Sequence, residues 1–368
     1  MVDNFETDVF VIGGGPAGLA AALAAKRKGF RVILGDGMKP PIDKACGEGL
    51  MPDAVEAARA IGIPLPTSPR APFRGIRFLG NGVSATADFP DGTGWGMRRT
   101  ALHQTMIEAA RAAGVDLRWE TVVTGIDGCR VHLSNGGVTA RWIVGADGGQ
   151  SLARKWASLD TGMRGSHRFG FRRHYQVAPW AEYVEVHWGD AFQIYITPVA
   201  PEEVCVALIS RDPRRRLDDA LSAFPELAAR LRHASVSSSD RGATSSTRKL
   251  KKVWSGRVAL IGDASGSVDA VTGEGLCLAF QQAGALADAF ARNDLASYQT
   301  AHDRISQRPR LMSALLLSLD RIPPLRRRVL QAFAGKPELF SRVLAAHVGA
   351  ARLSELASAG IALGAELL

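Results

Sequence analysis

Val9-Phe10-Val11-Ile12-Gly13-Gly14-Gly15-Pro16-Ala17-Gly18 is the stretch that decides the fold of this 368-residue chain. Its four leading apolar residues predict a buried strand, and the Ala-rich sequence after it predicts a helix. The glycines between them predict a loop that holds a pyrophosphate. Gly13 would make the tight turn, Gly15 would let the phosphates approach, and Gly18 would let helix and strand touch. The N-terminus of the helix would then face the phosphates.

A second strand and an acidic residue extend this motif. The strand is Arg31-Val32-Ile33-Leu34, and Asp36 follows it, 23 residues after Gly13. That spacing suits a carboxylate that accepts a hydrogen bond from a ribose hydroxyl. As an alternative, the glycine pattern arises by chance and Asp36, between two glycines, is a turn residue. The order strand, loop, helix, strand and acid favours nucleotide binding.

Two distant segments indicate which nucleotide is bound. They are Gly145-Ala146-Asp147-Gly148 and Gly262-Asp263-Ala264-Ser265, the latter followed by Thr272-Gly273-Glu274-Gly275. Residues 257–261 predict a buried strand that ends at Asp263, where a carboxylate can accept hydrogen bonds from the ribityl chain of a flavin. The pattern therefore favours FAD over NAD as the bound dinucleotide.

In this order the segments resemble the FAD-dependent aromatic hydroxylase superfamily, which also includes geranylgeranyl reductases and flavin-dependent halogenases. The resemblance covers about residues 5–290. It implies an α/β fold: a discontinuous Rossmann-like FAD-binding domain, a mainly antiparallel β-sheet substrate domain and a C-terminal helical segment. The expected boundaries are 1–70, 96–165 and 250–295 for the FAD-binding domain, 71–95 and 166–249 for the substrate domain, and 296–368 for the helical region.

The resemblance also implies roles for individual residues. Asp36 would bind the adenosine ribose, Val123 the adenine through its backbone, and Asp263 the ribityl and pyrophosphate region, with noncovalent FAD as the cofactor. One departure is visible, because Ala270 stands where the family usually has a proline, which would make this loop less rigid. The implied cofactor-binding residues are Gly13, Gly15, Pro16, Ala17, Gly18, Asp36, Arg99, Val123, Asp147, Gly148, Asp263, Gly273, Glu274 and Gly275.

The residues after Gly275 predict a helix that begins beside the flavin. Its positive end would then stabilise negative charge on the reduced ring. As an alternative, this is a buried helix whose glycines merely permit close packing.

The resemblance leaves the reaction open between three classes. We favour an NAD(P)H-dependent monooxygenase that hydroxylates a hydrophobic aromatic or polyketide-like molecule through a flavin hydroperoxide. The alternatives are a reductase of prenyl or other alkene double bonds and a non-catalytic flavin-binding or membrane-associated protein. The reductase branch usually carries Tyr-x-Trp-x-Phe-Pro, whereas Gln193-Ile194-Tyr195-Ile196-Thr197-Pro198 keeps only the proline. The halogenase signature Trp-x-Trp-x-Ile-Pro is absent too.

Candidate catalytic and substrate-binding residues come from one loop and from the predicted substrate sheet. Cys46 and Glu48 lie in a loop bracketed by prolines, at an edge of the parallel sheet where ligands bind. Glu48 would hold a substrate hydroxyl or face water, and His174 would assist deprotonation of a phenol or enol. As an alternative, Cys46 is an ordinary loop cysteine. The polar candidates would then be exposed residues or buried residues whose hydrogen bonds are already made within the protein. The remaining candidate substrate residues are Arg172, His187, Gln193 and Tyr195.

The middle and C-terminal parts of the chain predict further elements. Alternating residues predict strands at 183–188, 193–196 and 204–208, while residues 218–232 predict one helix and Ser235 to Ser246 a polar loop. Short amphipathic helices are expected at Leu311 to Leu319, Leu325 to Phe333 and Leu339 to Val348. Leu356 to Leu368 is apolar and Ala-rich.

Composition indicates an enzyme of the cytoplasm. The acidic N-terminus argues against a secretory signal, no apolar run reaches the length of a membrane span, and the four cysteines form no zinc pattern, so no metal is expected. The net charge is +9, yet the basic clusters lack the aromatic residues or motifs of nucleic-acid binders. We expect a hydrophobic small-molecule substrate, NADPH or NADH as the electron donor, and peripheral membrane contact through the C-terminal helices as a further option.

Overall fold

A computed structural model describes residues 5–352, apart from the side chains of residues 163, 164 and 166. The prediction for Leu356 to Leu368 lies outside the described residues. The strands are β1 (Thr7–Ile12), β2 (Val32–Gly35), β3 (Gly49–Leu50), β4 (Ala71–Phe73), β5 (Gly75–Gly80), β6 (Val83–Asp88), β7 (Gly94–Gly96), β8 (Asp116–Arg118), β9 (Val123–Asp127), β10 (Arg130–Leu133), β11 (Gly136–Gly145), β12 (Gly162–Gln176), β13 (Tyr183–Trp188), β14 (Phe192–Ala200), β15 (Glu203–Ser210), β16 (Ser235–Val236), β17 (Arg241–Leu250), β18 (Trp254–Ser255), β19 (Val258–Leu260) and β20 (Gly266–Ser267). The helices are α1 (Pro16–Arg27), α2 (Pro52–Ala60), α3 (Arg99–Ala112), α4 (Leu152–Trp156), α5 (Leu217–Ser222), α6 (Pro225–Leu231), α7 (Gly275–Ala291), α8 (Leu295–Arg321), α9 (Pro323–Gly335) and α10 (Pro337–His347).

The first sheet has the parallel core that the glycine motif predicts. Its order is β18-β19-β11-β1-β2-β8, and β1 runs parallel to both β2 and β11. Helices α1, α3 and α7 pack together on it, and Phe10, Leu34 and Val144 are fully buried in the core. The carboxyl ends of β1, β11 and β19 therefore meet at one edge, where ligands bind in folds of this kind. The predicted Rossmann-like domain, built from distant parts of the chain, is confirmed.

The second sheet is mainly antiparallel, as predicted, with the order β20-β17-β12-β15-β14-β13-β5-β6. The pair β13 and β5 is parallel. The predicted polar loop from Ser235 to Ser246 is wrong, because most of it forms β16 and β17, and β17 pairs with β12 from Arg241 to Leu250. Its backbone is paired within the sheet while many of its side chains face solvent, so the apolar alternation of a half-buried strand is missing.

The predicted single helix over residues 218–232 is two helices. Helix α5 ends at Ser222, and α6 begins with Pro225 as its first residue. A proline there cannot donate the hydrogen bond that would continue the preceding helix.

Three helices form the C-terminal end of the described chain, and two of them, α9 and α10, cover β6. Helix α8 spans 27 residues, and α9 and α10 begin at Pro323 and Pro337, so the two predicted breaks are confirmed. Helices α9 and α10 pack on β6, and Leu330, Phe333 and Phe340 are buried with residues of β5, β6 and β13 in a separate hydrophobic cluster. No helix in residues 5–352 is both long and apolar enough to cross a bilayer.

Candidate active site

A cavity of about 1660 Å³ is lined by both sheets, by the motif loops and by α8, α9 and α10. Sites for a single drug-sized molecule measure roughly 300–1,000 Å³. This cavity therefore has room for a dinucleotide and a second molecule side by side.

The glycines of the first loop divide into packing and ligand-facing positions. Gly13 has φ +107°, and a Cβ atom on it would lie 2.6 Å from the carbonyl oxygen of Ala146. A Cβ atom on Gly18 would lie 1.8 Å from the carbonyl oxygen of Gly13, so Gly18 provides the predicted contact between helix and strand. Gly15 has open space around it and lines the cavity, together with Pro16 and Ala17. These positions leave the start of α1 accessible to a phosphate group.

Asp36 lines the cavity at the end of β2, close to Val123 in the same wall. Its carboxylate accepts hydrogen bonds from the backbone N–H of Gly14 (2.6 Å) and of Met38 (2.7 Å). The residue thus closes a turn and also joins the glycine loop. An ionised carboxylate has about four acceptor positions, so Asp36 can still accept from a ribose hydroxyl.

Polar side chains at the cavity have groups that lack partners within the described protein. Arg99 begins α3, and its Nε is buried without a hydrogen bond. Asp147 accepts from the backbone N–H of Leu152 (2.7 Å) with one oxygen, while its other oxygen is buried and unpaired. Asp263 faces the cavity from the end of β19; burial in the surrounding protein raises the pKa of its carboxyl, and the charge of Arg99 acts in the opposite direction. Buried polar groups normally have partners. These residues therefore fit a bound FAD, whose ribityl and phosphate oxygens would supply them.

The loop before α7 is held by its own hydrogen bonds. Gly273 has φ +70° and open space around it, and Gly275 begins α7 at the cavity, as predicted. The side chain of Asp269 accepts from the backbone N–H of Val271 (3.1 Å), and the hydroxyl of Thr272 donates to the carbonyl of Asp269 (3.1 Å). The alanine at position 270 is therefore part of a turn that Asp269 stabilises without the family's usual proline.

Glu274 lies in this loop, but its carboxylate is directed into the protein. Its oxygens have no hydrogen-bond partner among the described residues; one lies 3.9 Å from a guanidinium nitrogen of Arg308 and the other 3.9 Å from Nδ1 of His347. Burial raises the pKa of Glu274 to about 8, and the nearby carboxylate of Asp53 adds to the rise. Burial lowers the pKa of His347 to about 4. At neutral pH both groups are therefore uncharged, and Arg308 pairs with Asp53 (3.1 Å).

Glu48 and His174 form a buried pair, which sequence reasoning did not connect. The Glu48 carboxylate accepts from the backbone N–H of Arg99 (3.0 Å) and lies 2.6 Å from Nε2 of His174. Nδ1 of His174 lies 3.0 Å from a guanidinium nitrogen of Arg172, which can only donate. The ring proton is therefore on Nε2 and is donated to Glu48. The pair fixes the loop from Cys46 to Gly49 against the start of α3.

This arrangement gives both residues structural partners. Glu48 belongs to the cavity wall but is 4% exposed and already bonded, so it does not face water. His174 is 1% exposed and lies outside the cavity wall, where it cannot reach a bound substrate to deprotonate it. Cys46 does line the cavity, and its sulfur accepts from the backbone N–H of Glu48 (3.4 Å).

The sulfur of Cys205, a carboxylate oxygen of Glu48 and a ring nitrogen of His174 all lie within 4.8 Å of one another. Such a group could in principle hold a metal ion. Because Glu48 and His174 already bond to each other beside the charged Arg172, we interpret it as structural.

Three further candidates lie away from the cavity wall. Arg172 is buried and paired with Asp43, Gln193 donates to Asp320, and His187 lies 3.3 Å from the carboxylate of Glu185. For His187 the reason is strand alternation, since the residues on either side of it in β13, at 186 and 188, face the cavity. These three residues therefore have structural partners and are not placed to touch a substrate.

Tyr195 is the candidate that does line the cavity. Its hydroxyl donates to the backbone carbonyl of Val271 (3.0 Å), and burial raises its pKa. The hydroxyl therefore stays protonated and ties β14 to the loop before α7.

A buried ion network was missed from the sequence. Arg168 is 1% exposed and pairs with Asp269 (3.2 Å) and with Asp320 (2.9 Å), which is itself fully buried. This ion network joins β12, the loop before α7 and the end of α8. No local pattern signals it, because its members are far apart in the chain.

Residues of β5, β13, α8, α9 and α10 form an apolar part of the cavity wall. We call this part of the cavity the apolar chamber. It is lined by Ile76, Phe78, Val184, Val186, Trp188, Leu316, Leu319, Val329, Phe333, Phe340, Val343 and Leu344.

Comparison with known proteins agrees with this site. A family model described as "FAD binding domain" matches residues 6–294, from β1 to the end of α7. The chain belongs to this FAD binding domain family. As a member it is an FAD-dependent oxidoreductase, and the resemblance to the aromatic hydroxylase and geranylgeranyl reductase superfamily is confirmed.

Relatives of this family member carry names of different activities. It is 28% identical over 301 residues to a digeranylgeranylglycerophospholipid reductase of Methanothermobacter thermautotrophicus, covering 74% of this chain and 73% of that one. It is 27% identical over 359 residues, covering 90% and 93%, to a Rhodococcus erythropolis protein to which 2-heptyl-3-hydroxy-4(1H)-quinolone synthesis is attributed. Among solved structures, a flavoprotein/dehydrogenase of Cytophaga hutchinsonii aligns with TM-score 0.76 at 20% identity, over 93% of this chain and 92% of that one.

Proposed function

We propose that this protein is an FAD-dependent monooxygenase that hydroxylates an aromatic ring carrying a long aliphatic chain. The observation that carries the proposal is the continuity of the FAD site with the apolar chamber in one cavity. A ring placed at the start of α7 would lie beside the flavin, while its chain would extend into the chamber.

The chamber suits a flexible apolar chain. Phe78, Phe333 and Phe340 line it. Each methylene moved from water into such surroundings contributes roughly 0.8 kcal/mol. Affinity should therefore increase with chain length until the chamber is filled.

The chain's own residues would position the reactants and exclude water. When bound, FAD supplies the redox chemistry by accepting a hydride from a pyridine nucleotide and activating oxygen. The helix dipole of α7 favours negative charge at its N-terminus, where Gly275 has open space. The three C-terminal helices would keep bulk water from that end of the cavity.

We infer that NADPH or NADH is the electron donor. Lys44 and Lys155 line the same cavity as Asp147 and Gly148. Their positive charges would attract an anionic dinucleotide to the FAD end of the cavity.

The relatives support the two leading reactions unequally. The match to the Rhodococcus protein extends over most of both chains, and the product attributed to that relative is a hydroxylated ring with a heptyl chain. Strand β14 also carries Gln193, Tyr195 and Thr197 where the reductase motif has its aromatic residues. Reduction of an isoprenoid double bond is the second candidate, since the Methanothermobacter relative is a reductase and the chamber would accept a prenyl chain as well.

The test is NAD(P)H oxidation with and without oxygen, using alkylated phenols, quinones and prenyl lipids, followed by mass spectrometry of the products. The proposal predicts oxygen-dependent turnover and a product heavier by one oxygen atom. The same rings without the alkyl chain are the matched control and should bind far more weakly. Anaerobic turnover that adds two hydrogens would establish the reductase instead, and no reduction by either nucleotide would contradict both.

A further inference from the structure

Helix α8 presents an exposed apolar stripe near its C-terminal end. Leu311, Leu315 and Ile322 are 43%, 44% and 49% exposed. The four-residue spacing of Leu311 and Leu315 places them on one face of α8, and Ile322 follows directly after the last residue of the helix. We call these three residues the apolar stripe.

The apolar stripe coincides with an opening of the apolar chamber. Leu311 and Leu315 also belong to the cavity wall, and Leu316 and Leu319 continue the wall inward. A chain that enters between these side chains would pass from the surface to the chamber along an apolar path.

The chain segment that carries the stripe is rich in basic residues. Residues 304–337 contain eight arginines and lysines and a single acidic residue, Asp320. Asp320 is fully buried and paired with Arg168, so it offers no negative charge at the surface. The exposed basic residues of this segment are Arg304, Arg321, Arg327, Arg328 and Lys336.

We propose that the apolar stripe and its surrounding basic residues dock on an anionic phospholipid bilayer. Leucine side chains flanked by arginines are the pattern of a helix that lies in the membrane interface. The basic residues would contact lipid headgroups, and the stripe would enter the boundary with the acyl chains. A lipid-dissolved substrate could then move into the apolar chamber without crossing water.

Docking on a membrane and hydroxylation of the substrate can be tested independently. Docking requires the surface residues of α8 and α9, whereas the proposed hydroxylation requires the FAD site. A protein that binds vesicles but does not turn over would refute the proposed function alone, and the reverse result would refute the docking alone.

The experiment is co-sedimentation of the FAD-loaded protein with vesicles of phosphatidylcholine, with or without phosphatidylglycerol. Binding should require phosphatidylglycerol and weaken with salt. Arg327→Gln should weaken it about fivefold, which corresponds to roughly 1 kcal/mol for each basic residue near an anionic surface. Ile322→Ser tests the stripe without altering the cavity wall, because Ile322 does not belong to that wall. It should weaken binding at least as much as Arg327→Gln.

The matched control residues lie on elements outside the C-terminal helices. Val236 is 53% exposed on β16, and Arg111 is exposed at the end of α3. Val236→Ser and Arg111→Gln should bind vesicles like the unmodified protein. The proposal is overturned if the unmodified protein does not sediment with anionic vesicles, or if the test variants bind as well as the controls. It is also overturned if the stripe instead joins two copies of the chain, seen as a dimer that Ile322→Ser dissociates in analytical ultracentrifugation.

Discussion

Glu274→Gln should change how stability depends on pH. Glu274 is buried beside the loop that begins α7, and its pKa is raised from 4.5 to about 8 because burial disfavours the carboxylate. The charges around it are those of Arg308 and Asp53, which pair with each other, while His347 is neutral. Glutamine has the same shape and no charge, so the variant keeps the packing and loses the titration.

The sign and size of this pH dependence follow from the difference between the pKa of Glu274 in the folded protein and in the unfolded chain. Below the unfolded pKa of 4.5 both states hold the proton, and Glu274 has no pH effect. As pH rises toward 8 the unfolded chain ionises while the folded protein keeps the proton, so the free energy of unfolding falls by about 1.4 kcal/mol for each pH unit. At pH 7 the accumulated loss is roughly 3 kcal/mol, and it levels off above the folded pKa. The glutamine variant is spared this loss.

The assay is urea unfolding of both proteins between about pH 5 and pH 8, with the difference in free energy of unfolding taken at each pH. Other titrating groups cancel in that difference. Glu338→Gln, at an exposed position of α10, is the control and should give a constant difference. A constant difference for Glu274→Gln would refute the reasoning, because it would mean that Arg308 closes its 3.9 Å gap and keeps Glu274 ionised.

Three further predictions test separate parts of the site. Asp263→Ala should lose most of the bound FAD, measured as flavin absorbance per protein; full flavin content would show that this carboxylate is not a ligand. Arg168→Met removes the buried cation shared by Asp269 and Asp320, leaving Asp320 its pair with the partly exposed Arg211, and should lower the free energy of unfolding by roughly 3–5 kcal/mol in urea titrations; a loss within error would mean that the network is replaceable. Val343→Trp should fill part of the apolar chamber, so that turnover of long-chain substrates falls while short-chain substrates are spared; equal effects on both would place the chain elsewhere.

The FAD end of the site could be predicted from the sequence because local rules determine it. The strand, glycine loop and helix at residues 9–27 form one unit, and the close contact of Gly18 with Gly13 follows from the motif itself. Asp36, Asp263 and Gly275 come at the ends of strands or at the start of a helix, so parallel strand order brings them to one edge of the sheet. The two C-terminal helix breaks were predictable from Pro323 and Pro337, which begin α9 and α10, because proline is favoured in the first turn of a helix.

The substrate side could not be predicted in the same way. Glu48 and His174 are 126 residues apart, and only the docking of the loop on β12 makes them partners. The sequence proposes both Glu48 and His174 as residues that act on the substrate. In the structure they bond to each other, and Glu48 also accepts from the backbone N–H at the start of α3. The sequence proposes His187 as a substrate residue because alternation shows that a strand has two faces but not which face meets the cavity. The sequence predicts a loop in place of the polar strand β17, because a strand held by backbone pairing with exposed side chains leaves no apolar pattern.

Isotope tracing tests the central claim most directly. The FAD-loaded protein would be given NAD(P)H, an alkylated phenol that it turns over, and oxygen labelled as ¹⁸O₂, and the product would be weighed by mass spectrometry. A monooxygenase acting in this cavity inserts one labelled oxygen atom into the ring and gives no product under argon. Formation of a product without the label, or of one that gains two hydrogens in the absence of oxygen, would contradict the account.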